Sequence, residues 1–401
     1  MSTAPDPAMN GAIHVPDACS LCGGALAEVF DLPDLPLTGL YVPDPAVREQ
    51  RFDQALMLCR RCGHGQLARF LPARTLYDDS YAHRSSASPI AVAGNDFLHD
   101  FIAGLAGRRR FRQIVEVGCN DLYLVRKLLS MGENALGIDP IWRGRDGEVA
   151  PGLHVLGGLL EDVDPATAMR APADLIVSAH TFEHMHDPLG ALGRLFDMTA
   201  EDALFVIEVP GFENLVRGRR FDQVFHQHLH YFSLASLLGA VERSGGRYLA
   251  HRYNYDYWGG TLILAFERGR SARGPQPPRR RMSMAALRRG IADFRRQSAA
   301  VPRLLADGGF GAVYGFGAAQ MLPVLGYHMG GLEVFDAILD DDPRRQGMYY
   351  PGHDVPIRPS AEIGTFADAA LVLTAPDAAR PILPRMVALK PRKIILPLQI
   401  V

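Results

Sequence analysis

The chain has 401 residues, of which 48% are apolar and 21% charged, and its formal net charge is −2. That length is too great for one ordinary core, so two or three domains are expected, and the balanced charge argues against a protein held to nucleic acid by basic excess. No run of about 18 apolar residues occurs and no charged stretch leads into an apolar one, so neither a membrane span nor a secretory leader is expected.

The five cysteines open the chain-order reading. Cys19 and Cys22, then Cys59 and Cys62, form two Cys-x2-Cys pairs separated by 36 residues, each followed by a glycine-marked turn, "CSLCGG" and "CRRCGHG". Two such knuckles supply four thiolates to one tetrahedral zinc, closed to substrate and therefore structural. The competing reading, two short-range disulfides, does not suit the reducing, cytoplasmic compartment that this cysteine usage indicates. Cys119 reads as a small apolar residue. The gap between the pairs holds a proline-rich stretch, "DLPDLPLTGLYVPDP".

From about residue 76 to 270 strands alternate with helical patterns. "RQIVEVGCND" is a buried strand entering a turn and "LYLVRKLLSMG" the helix after it; "NALGIDP", "ADLIVSAHTFEH" and "ALFVIEVPG" are further strands. "HRYNYDYWGGTLILAFER" reads as a closing strand preceded by a loop. The pattern predicts an α/β domain with a parallel sheet, helices on both faces, and ligands at the carboxyl ends of the strands. An Arg/Pro-rich linker at 268–282 leads to a long amphipathic helix, apolar at Met284, Leu287, Ile291 and Phe294, and then to a second α/β unit. The expected domains are 1–75, 76–270 and 271–401.

Two features of the middle domain point to a nucleoside-bearing cofactor. "VEVGCND" places Glu116, Gly118, Asn120 and Asp121 at the end of its first strand, and "GIDP" places Asp139 at the end of the second. An acid there takes both ribose hydroxyls, while glycine lets the backbone approach the ligand. The E-x-G order without G-x-G-x-x-G favours S-adenosylmethionine over NAD. In the last domain "VYGFGAAQ" is a glycine-rich turn after a strand, with Gly315 and Gly317, suited to the diphosphate of a nucleotide-sugar at a helix N-terminus.

The stretch "FDQVFHQHLHYFS" (221–233) alternates His226, His228 and His230, which extended backbone would turn to one face. A metal on that face and a buried, hydrogen-bonded histidine are both open readings. "HTFEHMHDP" (180–188) adds Glu183, His184 and His186 at another strand end, and "YWGGTL" is a glycine turn for close approach or for a simple hairpin.

The order of these motifs, from the four-cysteine knuckle through "EVGCND", "GIDP", "ADLIVSAHTFEHMHDP", "FHQHLHYFS" and "YWGGTL" to "VYGFGAAQ…LDDDPRRQGMYYPGHDVPI", resembles the zinc-containing, S-adenosylmethionine-dependent sugar C-methyltransferases over nearly the whole chain. These enzymes methylate carbon 3 of nucleotide-linked 4-keto-deoxysugars. The resemblance implies an N-terminal zinc-binding module, a central Rossmann-like class I methyltransferase domain and a C-terminal α/β domain that helps hold the nucleotide-sugar, in a monomer that uses neither nucleic acid nor membrane. It assigns Glu183 with the strand-end residues to the donor. Tyr77, Tyr81 and His83 in "YDDSYAHRSSAS", with Phe225, fall to the substrate.

Two positions depart from the family pattern. Leu122 stands where N-D-G has its glycine and is expected to narrow the donor's amino-acid end. Phe225-His226-Gln227-His228 stands where Tyr-His-Glu-His is usual. Methylating carbon beside a ketone needs a base and a partner for the enolate oxygen. His228 inherits the base, Gln227 and His226 orient the substrate or bind the enolate, and His184 contacts the sugar's oxygens. The rival readings are the same scaffold methylating an oxygen or a different activated sugar, and a decayed, non-catalytic binding protein.

Overall fold

A computed structural model of the chain describes residues 12–76, 84–269 and 276–398. The N-terminal part is built on β1 (Leu26–Pro36), β2 (Arg51–Cys59) and β3 (Gly65–Leu67), with a short helix α1 (Ala73–Leu76) at its end. The first six residues of the proline-rich stretch, 31–36, are thus strand. β1 is an edge strand with a register shift between Leu32 and Leu35, which is where a sheet tolerates prolines that cannot donate to the ladder.

The middle domain comprises α2 (Pro89–Ala106), β4 (Phe111–Val117), α3 (Tyr123–Leu129), β5 (Gly132–Ile138), β6 (Gly147–Ala150), β7 (Leu153–Leu156), β8 (Ala173–Ala179), α4 (Pro188–Asp197), β9 (Thr199–Pro210), α5 (Phe212–Gly218), β10 (His230–Tyr231), α6 (Leu234–Arg243), β11 (Gly246–Asn254) and β12 (Thr261–Arg268). Its eight-stranded sheet runs β11-β12-β9-β8-β4-β5-β7-β6. The five strands β7, β5, β4, β8 and β9 are parallel, as the alternating pattern requires. Both faces are buried: Ile114 belongs to the core on one side and Val115 to that on the other. This is why these strands read as continuous apolar runs.

The sheet is not wholly parallel. β6 and β7 form an unexpected hairpin at one edge. At the other edge "HRYN", expected as loop, is the end of β11, so an antiparallel pair closes the sheet.

The C-terminal domain follows α7 (Met284–Gly308), started by the Ser283 side chain accepting from Ala286 N and stopped by Gly309 in the left-handed conformation. It contains β13 (Ala312–Phe316), α8 (Leu322–Met329), β14 (Ala337–Leu339), β15 (Ile357–Arg358), β16 (Ala369–Leu373), α9 (Ala379–Ala388) and β17 (Lys393–Ile395). Its sheet, β15-β14-β13-β16-β17, is parallel throughout.

The three parts share one core. Leu32 and Leu56 of the first, Phe221, Val224 and Leu229 of the second, and Phe294, Leu322 and Ile338 of the third belong to a single apolar cluster. The middle domain also lends β10 to the first sheet, where His230 and Tyr231 pair with Gln66 and Gly65. No helix among the described residues is long and apolar enough to cross a membrane.

Candidate functional site

The four expected cysteine ligands come together. Cys19 Sγ lies 3.7 Å from Cys62 Sγ and Cys22 Sγ 3.5 Å from Cys59 Sγ, and all four fall within 4.8 Å of one another. A zinc tetrahedron with bonds of about 2.3 Å has edges of about 3.8 Å, so the two measured edges match that ion and the donor set suits it. Each knuckle closes on its glycine: Gly23 N donates to Cys19 O and Gly63 N to Cys59 O, both glycines having φ of +63° and +75°. Without a cation the sulfurs compete for protons. The hydrogen bond from Cys19 pulls Cys62 down to about 5, while the same bond and burial push Cys19 up. A metal that binds thiolates removes that conflict.

At the end of β4, Gly118 has φ +81° and Asn120 φ +44°. Asp139, just past β5, accepts Asn120 N at 2.8 Å and Ile141 N at 2.9 Å, so it both ties the two strand ends together and caps the turn that follows. Burial raises its pKa, opposed by those two N–H groups. Glu116 is almost fully buried, and burial, then the Asp139 charge, pushes it well above the carboxylate range. Among the described residues Glu116 Oε2 and Asp121 Oδ1 have no hydrogen-bond partner. Two buried acceptors at these strand ends are thus left for a ligand's polar groups to satisfy.

Leu122 has a φ of +71°, the backbone that a glycine adopts freely, and its side chain is 1% exposed and packs inward beside Cys119 and Gly137. Trimming it to Ala or Gly should cost about 2–5 kcal/mol in lost packing. The left-handed conformation should reverse the usual helix order, with Leu122→Gly about 1 kcal/mol more stable than Leu122→Ala in urea denaturation.

The histidine stretch is extended only at His230–Tyr231 and turns before it. Val224 N bonds Phe221 O and His228 N bonds Phe225 O, two turns that send the three imidazoles to different places. His226 turns to the N-terminal part, its Nε2 2.9 Å from Leu35 O, and is fully buried, outside the set of residues that line the pocket described below. His230 lies 3.0 Å from His64, again across the domain junction. His228 alone reaches a pocket.

That pocket is walled by all three parts: Thr38 and Gly39 from the first, Gln320 and Met321 from the third, and between them His180, Glu183, His184, Phe225, Gln227, His228, Tyr257 and Trp258. The His228 ring is buried, 4.2 Å from the Phe225 centroid and 5.0 Å from that of His184. Burial first, then the neighbouring His184 and His180, lowers its pKa well below the usual histidine value, so the ring is neutral and able to accept a proton. His184 donates Nδ1–H to Gln227 O at 2.6 Å.

Gln227 does not offer a free amide. Its Nε2 donates to Thr38 O and its Oε1 accepts from Thr38 Oγ1, at 3.0 and 3.1 Å, so it joins the pocket's wall to the N-terminal part instead of presenting the amide to an enolate. Gly315 and Gly317 are not in the pocket either. A Cβ on Gly315 would meet Ile338 and Thr374, and one on Gly317 would meet Ala375, so packing inside the domain explains both glycines. Tyr77, Tyr81 and His83 lie outside the described residues.

Several pocket residues carried no sequence signal. Thr38, Gln320 and Met321 arrive from other domains. His180 was visible in "HTFEH", and its φ of +50° marks a strained position at the end of β8. Trp258, φ +51°, belongs to "YWGG", whose loop is held by Gln223 Nε2 donating to Trp258 O. Beneath it Arg220 is buried between Asp222 and Asp377, the second of which belongs to the C-terminal domain.

Comparison with known families gives three matches in the same order along the chain. Residues 19–77 match the model described as "Putative zinc binding domain", 91–251 a "Methyltransferase domain" and 284–397 a "C-methyltransferase C-terminal domain". The C-methyltransferase NovU of Streptomyces niveus is 27% identical over 258 residues; the match spans 62% of this chain and 60% of that relative's length. Among solved structures, the N-methyltransferase NodS from Bradyrhizobium japonicum WM9 with S-adenosyl-l-homocysteine is 13% identical, with a TM-score of 0.35 over 48% of this chain and 93% of NodS. The magnesium protoporphyrin IX methyltransferase of Synechocystis PCC 6803 is 10% identical, with a TM-score of 0.33 over 44% of this chain and 79% of its own. By the order of these matches the chain carries a zinc-binding-type module, a methyltransferase domain and a C-methyltransferase C-terminal domain, and it is similar to the C-methyltransferase NovU, of which it spans 60% of the length.

Proposed function

We propose that the chain transfers a methyl group from S-adenosylmethionine to the carbon beside the ketone, carbon 3, of a nucleotide-linked keto-deoxysugar. The observation that carries this is a buried, neutral His228 in a pocket walled by all three domains. An imidazole kept neutral is a carbon-acid base at ordinary pH, and oxygen methylation has less need of one. His228 removes the proton, His184 faces the sugar's oxygens, and Phe225 and Trp258 pack on the ring. The donor sits at the ends of β4 and β5, on Glu116, Gly118, Asn120, Asp121 and Asp139. The nucleotide-sugar enters between the middle and C-terminal domains, and zinc is the ion of the four-cysteine site.

The test is product analysis. The chain is incubated with methyl-¹³C S-adenosylmethionine and a thymidine diphosphate 4-keto-deoxysugar, and the labelled methyl is located by its ¹³C chemical shift and its long-range proton–carbon correlations. A methyl correlated to carbon 3 at a C-methyl shift supports the reading, and a methyl attached to oxygen refutes it. For the donor site, Asp139→Ala should weaken S-adenosylmethionine binding in calorimetry tenfold or more, since a hydrogen bond to a charged group contributes about 1.5–3 kcal/mol. An unchanged dissociation constant would place the donor elsewhere.

A further inference from the structure

We infer that Glu183 is a positioning residue for the reaction rather than a donor ligand: its carboxylate is the shared counter-charge of His180, His184 and His228, and it balances the proton that His228 takes from the substrate. The inference rests on the reading of His228 as the base.

Glu183 follows β8 in the short turn Phe182–His184 and is 1% exposed. Among the described residues neither carboxylate oxygen receives a well-aligned hydrogen bond, in contrast to Asp139, which collects two backbone N–H groups. A buried carboxylate so poorly solvated persists only if a cationic partner faces it. His180, whose pKa Glu183 raises, is that partner, and two further imidazoles lie beside it. His180 Nδ1 is 3.3 Å away and His184 Nε2 3.9 Å, and the ligand atoms of Glu183, His184 and His228 lie within 4.8 Å of one another. The His184 Nδ1–H bond to Gln227 O fixes that ring so that Nε2 is the atom turned to Glu183.

The charges around this hub come from every element packed on it. His180 follows β8, Glu208 lies on β9 with its Oε1 accepting from Thr261, Tyr257 borders the glycine loop, and Asp377 of the C-terminal domain shares the Arg220 guanidinium with Asp222. Burial opposes charge on His180, but Glu183, then Glu208 and Asp377, raise its pKa above the usual value.

The reaction moves one positive charge through this site. The substrate C–H bond breaks, the proton goes to His228 and the electron pair to the enolate. The enolate carbon then takes the methyl group while the carbon–sulfur pair returns to sulfur. The positive charge begins on the sulfonium and ends on the His228 imidazolium, which later releases one proton. A fixed carboxylate among the histidines stabilises that final arrangement, and its effect is felt in the proton-transfer step.

The test uses the full-length chain, with Glu183→Gln and Glu183→Asp. Imidazole ¹⁵N shifts of His180 and His228 are followed against pH, donor affinity is measured by calorimetry, and turnover is measured on a thymidine diphosphate 4-keto-deoxysugar. Glu183→Gln should leave donor affinity within about twofold and lower the His180 titration by about one unit. Turnover should fall by about 10²-fold, with the acid limb of its pH profile moved to lower pH because the base has lost its counter-charge. Glu183→Asp should recover part of both. An unshifted His180 titration overturns the inference, as does a tenfold loss of donor affinity, which would return Glu183 to the donor site. So does loss of a second divalent ion from the protein on substitution, which would make Glu183, His184 and His228 cation ligands. Should the wild type methylate no keto-sugar carbon, the functional reading fails, while the histidine titration still judges the hub by itself.

Discussion

Replacing His228 with asparagine should lower turnover by about 10²–10⁴-fold and leave S-adenosylmethionine affinity nearly unchanged. The magnitude is that of a positioned general base, about 3–5 kcal/mol of barrier. Asparagine keeps the shape and a hydrogen-bonding group but has no basic nitrogen. The alternatives on the same stretch are removed by the structure: His226 is spent on Leu35 O and His230 on His64. The pH profile adds a second readout. Because burial lowers the His228 pKa, the wild-type acid limb should lie below the ordinary histidine value of about 6.5, and the ring should stay in its competent, neutral form throughout the neutral range. Measured turnover of the variant within threefold of wild type (about 0.6 kcal/mol) would move the base to His184.

What the sequence showed was local or periodic. Two Cys-x2-Cys pairs announced their site because a knuckle is a four-residue event, and strands buried on both faces announced the parallel sheet through unbroken apolar runs. The alternating histidines misled for the same reason. Period two implies one face only if the backbone is extended, and turns at Phe221–Val224 and Phe225–His228 cancel the premise. Gln227 could not be read either. A glutamine beside two histidines looks like an enolate donor until Thr38, distant in sequence, takes both ends of its amide. Leu122 shows a further limit. The position demands a left-handed residue, which the family's glycine signals, but which way a leucine there would point is decided by the room left at Gly137. Residues that complete a pocket from another domain, such as Gln320, have no local pattern to betray them.

With zinc as the proposed ion of the four-cysteine site, Cys59→Ser should abolish its binding and lower the first thermal transition by about 10 °C. Cys59 ends β2, is 1% exposed, and packs with Cys19 and Leu21 into the same core as Phe232 and Leu237 of the middle domain. Serine is a poor, hard ligand for this ion and leaves a three-thiolate site, and loss of a structural metal belongs to the few mechanisms that cost about 4–5 kcal/mol. At roughly 2–4 °C per kcal/mol for a domain of this size, that is the expected shift. The damage should not stop at the knuckle. Gln54 and Leu35 on the adjoining strands meet His226, and Thr38 just beyond β1 holds Gln227, so loosening the first sheet frees one wall of the pocket. Turnover should therefore fall after stability does, and a chelator should reproduce both effects in the wild type. Returned zinc should rescue the chelated wild type and fail to rescue Cys59→Ser. A wild-type chain with no zinc by elemental analysis, melting unchanged in chelator, would show that the four sulfurs hold the module together without a metal.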